Sequence, residues 1–251
     1  MASVSEVINA HIRAAISDLH TAIPARVLSF NPLTGTVDVA AAIDQTLSDG
    51  SVLSRGPIRQ VPVQFASSPR TLISFPIKAG DTGQLIFQER STDEWLAQSS
   101  AAEGGSNVSA VDRRMHDYND CVFIPGIYPH SKSPVSGNGH TLAHNPDSDL
   151  TIKHNIGTGA ETRISIEGSG SIVMENSLGK IRLNNDGSVT LDCIKVTINS
   201  SGNVDINASD LNISATNILT TGVLKNNGKL VGSTHTHAGV TPGVGNTGVP
   251  N

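Results

Sequence analysis

The stretch that decides the fold is TRISIEGSGSIVMENSLGKIRLNNDGSVTL, residues 162–191. Aliphatic residues alternate with polar ones in it, and a turn rich in Gly, Asn or Asp follows each short run. Side chains at positions i and i+2 of a strand point to the same face of a sheet. The stretch therefore predicts a series of short β-strands, each with one aliphatic face.

The same pattern extends toward the C-terminus without an aromatic residue. The aliphatic pairs are Ile164/Ile166, Ile172/Met174, Ile181/Leu183, Val189/Leu191, Val196/Ile198, Val204/Ile206 and Leu211/Ile213, with Ile218 beyond them. Successive pairs lie 8, 9, 8, 7, 8 and 7 residues apart. Such even spacing indicates repeated strands rather than an irregular globular fold.

One copy of this tract buries only a narrow aliphatic stripe and leaves strand edges unpaired, which is an aggregation hazard. Three identical chains wound about one axis bring the stripes together and pair the edges. A monomeric β-solenoid is the alternative, but its coils are usually about 20 residues long. We therefore predict an intertwined trimeric β-helix over residues 151–232, which makes the chain a homotrimer.

The N-terminal half has a different composition, because all eight aromatic residues lie in the first 128 positions. Residues 3–19 predict an amphipathic helix with a capping box made by Ser3 and Glu6, and we assign residues 1–20 to it. Short strands follow, including a hairpin at residues 26–40 and strands at 61–65, 71–75 and 83–88. They predict a small barrel of the oligonucleotide/oligosaccharide-binding (OB) type over residues 21–130, so that the chain is mostly β.

Residues 131–150 are rich in turn-forming residues and predict a linker between the two halves. The net charge of −5 gives no basic surface for nucleic acid. No run of 18 apolar residues predicts a membrane-spanning helix. The acidic residues in the first twenty positions disfavour a secretion signal.

Two histidines, His235 and His237, are the candidate metal ligands. In an extended strand both imidazoles point the same way, and three chains supply six nitrogen atoms around an axis. Six imidazoles disfavour zinc, which prefers four ligands, and admit iron or nickel. The small residues of the tail, 233–251, suit a tip where three chains converge. The alternatives are two solvated histidines and a disordered Gly-rich tail.

The sequence offers only weak evidence for a catalytic group of residues. His116, Asp117 and Asp120 lie near Cys121, and Glu89 with Asp93 and Glu94 is a second candidate group. Neither is accompanied by a nucleophile elbow, a phosphate-binding loop or a zinc-protease motif. We therefore predict that the chain is not an enzyme and has no catalytic residues.

Several phrases, taken in order, resemble the central spike proteins of contractile-tailed bacteriophages. They are Ile23-Pro-Ala-Arg-Val27, Val61-Pro-Val-Gln-Phe65, Phe75-Pro-Ile-Lys-Ala-Gly-Asp81, His116-Asp-Tyr-Asn-Asp-Cys-Val-Phe-Ile-Pro-Gly126 and Ser233-Thr-His-Thr-His237. The resemblance runs over essentially the whole chain.

The resemblance implies a structural virion protein at the tip of the tail baseplate, made in the host cytoplasm. It implies an OB-like collar, a trimeric β-helix, and one iron ion per trimer held by His235 and His237 of the three chains. The partners it implies are two further copies, a baseplate hub protein, and the host outer membrane, which the spike pierces mechanically when the tail contracts.

Two other functions compete with the spike. A trimeric tail fibre or adhesin tip that binds a host receptor should present exposed aromatics or varied loops at its apex, where this chain has Gly, Val, Thr and Pro. A metal-dependent enzyme needs an open coordination position and a nearby acid or base. The nearest carboxylate before His235 is Asp210, so this reading is the weakest.

Overall fold

The computed structural model describes residues 3–47, 49–97, 107–136 and 139–231, and Gly239. It divides into two units, residues 1–194 and 195–251, and each is described by itself. The chain is mostly β, as predicted.

Helix α1 spans Val4–Ser17 and begins with the predicted capping box. The Ser3 side chain accepts from the Glu6 amide, and the Ser3 amide donates to the Glu6 carboxylate. Six apolar side chains line one side of the helix and its C-terminal end, and each is at least 45 % exposed: Val4, Val7, Ile8, Ile12, Ile16 and Leu19. The structure describes the whole helix, and none of its residues is buried.

The described residues of the collar form nine strands and a short helix. The strands are β1 (Ala22–Asn31), β2 (Thr36–Ala41), β3 (Gln45–Thr46), β4 (Val52–Leu53), β5 (Ile58–Pro62), β6 (Ala66–Ser68), β7 (Thr71–Ile73), β8 (Thr82–Phe87) and β9 (Cys121–Pro125), and helix α2 spans Asp93–Leu96. The predicted hairpin is the β1–β2 pair.

Five of these strands form one curled sheet in the order β5-β2-β1-β8-β9. Its two edges approach through a parallel bridge between Val63 and Phe123. The Gln64 amide donates to the Phe123 carbonyl at 2.9 Å. Antiparallel neighbours around the sheet, closed by one parallel contact, give the partly open barrel expected of an OB-like fold.

The core lies inside this barrel and is built from the inward-facing residues of its strands. The buried apolar residues are Ala25, Val27, Val37, Val39, Ile58, Val61, Ile77, Leu85, Phe87, Cys121 and Phe123. Phe87 stacks on Tyr118 with ring centroids 5.8 Å apart. The aromatics of the N-terminal half therefore supply the bulk that a single-chain core requires.

Gly83 in β8 is the tightest point of the barrel wall. An added Cβ there would lie 2.4 Å from the Ile124 carbonyl oxygen and 2.5 Å from the Phe123 ring. We expect Gly83→Ala to lower the free energy of unfolding of the collar by about 1–3 kcal/mol, because overpacking displaces neighbours. Gly56→Ala is the control, since a Cβ at Gly56 meets nothing within 4 Å. Urea unfolding followed by Trp95 fluorescence measures both; equal effects would contradict the packing argument.

The second sheet follows the collar and is an antiparallel meander. Its strands are β10 (Leu150–His154), β11 (Thr162–Ile166), β12 (Ile172–Asn176), β13 (Gly179–Leu183) and β14 (Val189–Cys193). They pair in chain order. The first four predicted aliphatic pairs all lie on these strands. The predicted turn at Gly187 adopts a φ of 85°, which glycine reaches without steric cost.

Beyond this sheet the predicted strands do not form within one chain. Residues 195–224, all of which the structure describes, contain no strand, although they carry the Val196/Ile198, Val204/Ile206 and Leu211/Ile213 pairs. A short hairpin follows, made by β15 (Lys225–Asn226) and β16 (Lys229–Leu230). An isolated strand needs a neighbour to satisfy its backbone groups. The trimeric β-helix therefore stays a prediction.

Candidate functional site

One face of the β10–β14 sheet carries ten aliphatic side chains in two rows. The first row is Leu150, Ile166, Ile172, Leu183 and Val189, and the second is Ile152, Ile164, Met174, Ile181 and Leu191. Neighbours along each row are direct cross-strand partners, which are close enough for their side chains to touch. We call these ten residues the aliphatic face.

The aliphatic face is uncovered in the single chain. Its ten side chains are 41–68 % exposed. Single exposed apolar residues are ordinary on protein surfaces, but a contiguous block of this size marks an interaction site. Full burial of one such side chain stabilises a protein by roughly 1.5–3 kcal/mol. Covering the face would therefore release a large favourable free energy.

The opposite face of the same sheet is polar, and most of its charged side chains are paired within the chain. One cross-strand row runs Lys153, Arg163, Glu175, Lys180 and Asp192. Arg163 Nε lies 2.7 Å from Glu175 Oε1, and Lys180 Nζ lies 3.3 Å from Glu175 Oε2. Glu167 adds pairs with Arg163 at 3.2 Å and Arg182 at 2.8 Å. We call this side of the sheet the polar face.

A buried ion pair lies at one corner of the polar face. Lys153 Nζ donates to Glu161 Oε1 at 2.7 Å, and the two side chains are 4 % and 1 % exposed. The same ammonium donates to the Leu142 carbonyl at 2.9 Å and to His140 Nδ1 at 2.8 Å. All three of its hydrogens therefore have acceptors, and His140 accepts with an unprotonated Nδ1.

Glu161 is ionised in this setting. Burial acts to raise its pKa, but hydrogen bonds from Lys153, Thr141 and Gly157 outweigh burial and hold the pKa well below its usual range. The amides of Thr141 and Gly157 donate at 2.8 and 2.9 Å. Charge-assisted bonds of this kind are about twice as strong as neutral ones. The corner is thus fully satisfied despite its burial.

The predicted metal ligands, His235 and His237, lie outside the described residues. Within residues 3–47, 49–97, 107–136 and 139–231, no group of three or more His, Cys, Asp or Glu side chains could hold a metal ion. The prediction of an iron ion with six histidine ligands is corrected accordingly. His235 and His237 supply two imidazoles per chain, which are too few donors for a closed site within one chain.

The residues considered for catalysis lie in the collar. Burial, with a smaller contribution from Asp120, raises the pKa of Cys121 to about 12. The reactive form of a cysteine is the thiolate, so this thiol is a core residue at neutral pH. Asp120 is buried beside Arg114, whose Nε lies 3.3 Å from its carboxylate. Arg114 also pairs with Asp93 and Asp112, so it joins separate parts of the β8–β9 connection to one another.

A search of known families finds one match, and it covers the collar. Residues 23–126 match the family model described as phage protein Gp138 N-terminal domain. The collar is similar to a phage domain. None of the curated proteins matches the chain significantly. The family match supports a phage structural protein of the tail or baseplate type, and it favours a structural over an enzymatic role.

Among the residues that the structure describes, no helix is long and apolar enough to cross a membrane. The family match is consistent with a virion protein that assembles with other virion proteins. Among the described features, the aliphatic face is the best candidate for an assembly interface, because it is a contiguous exposed apolar surface. Sequence periodicity identified eight of its ten residues but not Leu150 and Ile152. The Glu161–Lys153 pair carries no sequence pattern and was not predicted.

Proposed function

We propose that the chain is the central spike of a phage tail baseplate, and that three copies associate through the aliphatic face. The observation that carries this proposal is the pair of five-residue aliphatic rows left uncovered in a sheet that is otherwise complete. The collar's match to a phage domain supplies the biological setting.

Three copies suit this face because each sheet has only one apolar side. Three sheets turned inward around an axis bury all three faces against one another and expose three polar faces. From residue 195 onward each strand then pairs with strands of the other two copies. Closed rotational symmetry of this kind limits growth, because no aliphatic face is left to bind a fourth chain.

The proposed task is mechanical. Tail contraction drives the assembly through the outer membrane of the host, which requires a stiff rod with a polar surface. The ion pairs of the polar face are satisfied within each chain, so this surface offers lipid tails no apolar area to hold. Stiffness follows from the buried aliphatic interior, since close-packed side chains resist deformation.

The proposed attachment to the baseplate hub is the outer side of the collar, above all helix α1. Its apolar stripe is exposed among the described residues, and its capping box caps the helix without any partner. A preformed amphipathic helix of this kind commonly docks into an apolar groove. The collar and its helix would thus hold the spike on the tail while the sheet points away from it.

The test of the function is the number of chains in purified virions, measured by quantitative mass spectrometry against a tail protein of known copy number. A central spike requires three chains per tail. A fibre or adhesin at the rim of the baseplate would be present as several trimers per tail. A measured copy number well above three chains per tail would therefore contradict the proposal. Absence of the chain from the virion would contradict it as well.

The same measurement tests the helix. We expect Ile8→Asp to reduce incorporation into tails at least tenfold, because a carboxylate in an apolar groove costs several kcal/mol. Ala10→Asp is the matched control, since residue 10 lies about 200° around the helix from residue 8. Equal incorporation of the two variants would show that the stripe is not the attachment surface. Circular dichroism checks that both keep α1.

A further inference from the structure

Residues 139–149 cross the polar face of the sheet beside β11, and we call them the clasp. At one end of β11, in the β10–β11 turn, Glu161 accepts from the backbone amide and the hydroxyl of Thr141, at 2.8 and 2.9 Å. At the other end, in the β11–β12 turn, the Gly168 amide donates to Asp149 Oδ1 at 3.0 Å. The clasp therefore spans the whole length of this strand.

The approach is close enough at both ends to require glycine. A Cβ at Gly157, which has a φ of 76°, would lie 2.7 Å from the Gly139 carbonyl oxygen. A Cβ at Gly168 would lie 2.7 Å from the Ser148 Cβ and 2.9 Å from its hydroxyl oxygen. Two turns at opposite ends of one strand are thus shaped to receive the same segment.

Burial under the clasp agrees with this path. Arg163 and Ser165 are the β11 side chains that share the polar face with Lys153, and both are buried in the single chain. Lys153 is tied to the clasp through the Leu142 carbonyl and His140. All of these contacts are made within one chain, so they need no partner in order to form.

We propose that the clasp covers the β10–β11 part of the polar face within each chain and so determines that the aliphatic face, and not this side of the sheet, turns toward partner chains. This inference rests on the proposed association through the aliphatic face. A sheet with two open faces could stack through either one. With the clasp in place, the β10–β11 part of the polar face is covered, and Lys153, Glu161 and Arg163 are paired before association.

Gly168→Ala tests the clasp without touching the ion pair. The backbone of Gly168 is not in the left-handed region, so the added methyl group disturbs little beyond Ser148. We expect amide hydrogen exchange of residues 139–149 to accelerate about tenfold or more, as overpacking loosens this end. Ser148→Gly in the same chain removes the clashing atoms and should restore slow exchange.

Two controls separate the clasp from the proposed association. Gly159→Ala adds a methyl group in the β10–β11 turn where nothing lies within 4 Å. Amide exchange of the clasp in this variant should therefore match that of the wild type. Native mass spectrometry of the same samples reports assembly. Gly168→Ala should form a mixture of larger oligomers, and adding Ser148→Gly should restore a single oligomeric species.

Each readout can overturn the inference separately. Unchanged exchange in Gly168→Ala would show that no clasp is released by the clash. A released clasp with uniform assembly would show that the clasp does not direct association. A wild-type protein that stays monomeric while exchange responds as expected would instead contradict the proposed association, which is a distinguishable result.

Discussion

An aspartate in place of Ile181 should leave each sheet folded and abolish association between the chains. Ile181 is an inner residue of the second aliphatic row, between Met174 and Leu191, and is 49 % exposed in the single chain. A carboxylate there remains in contact with water as long as the chain is alone. In the proposed trimer three carboxylates would be buried around one axis, and each unpaired buried charge costs several kcal/mol.

The expected effect on association is several orders of magnitude, because every 1.4 kcal/mol changes an equilibrium constant tenfold. Thr190→Asp is the matched control, since Thr190 lies on the polar face beside Arg182. Sedimentation velocity over a range of chain concentrations measures association, and far-ultraviolet circular dichroism checks the fold. An Ile181→Asp protein that associates like the Thr190→Asp protein would contradict the assigned interface.

Glu161→Gln should have the largest effect on the stability of the sheet itself. The change leaves the Lys153 ammonium buried without a counter-charge, and removing one partner of a buried pair costs about 3–5 kcal/mol. Replacing both partners, with Lys153→Met added, should recover much of this loss because no buried charge remains. Urea unfolding at one fixed chain concentration compares the three proteins. Equal loss in the single and double variants would show that the pair is not what Glu161 contributes.

The pH dependence of this effect has a definite sign. The pKa of Glu161 is lowered in the folded chain from its ordinary value of 4.5, so the folded state favours the ionised form. The stability that this provides is fully present above about pH 4.5 and is lost as the pH falls through the lower folded pKa. The difference in unfolding free energy between wild type and Glu161→Gln should therefore be constant near neutrality and narrow in acid. A difference that narrows toward alkaline pH would contradict this assignment.

Local sequence patterns predicted most of the helices and strands that form within a single chain. The period of two gave strands β11 to β14 of the second sheet, and Ser3 with Glu6 marked the start of α1. In the collar, β1, β2 and β8 followed from short apolar runs bounded by turns, whereas the strand predicted at 61–65 only overlaps β5 and β9 was not predicted. In each case the residues that form the element also contact one another, so the signal is contained in a short window.

Features that join distant or separate segments could not be predicted in this way. Glu161 and Lys153 are eight residues apart on either side of a turn, and no periodicity links them. The clasp depends on Gly157 and Gly168, which the sequence marks only as turn residues. Residues 131–150 predicted a linker, while residues 139–149 are held against the sheet. The aliphatic pairs at residues 196–213 have strand periodicity, yet strands form there only when neighbours are present.

The native mass of the purified full chain tests the central claim most directly. The chain has a mass of 26.1 kDa, and the account predicts a single species of three times that mass at micromolar concentration. The species should persist on dilution, because dissociation would expose the aliphatic faces of all three sheets. A folded protein that sediments with the mass of one chain would contradict the account.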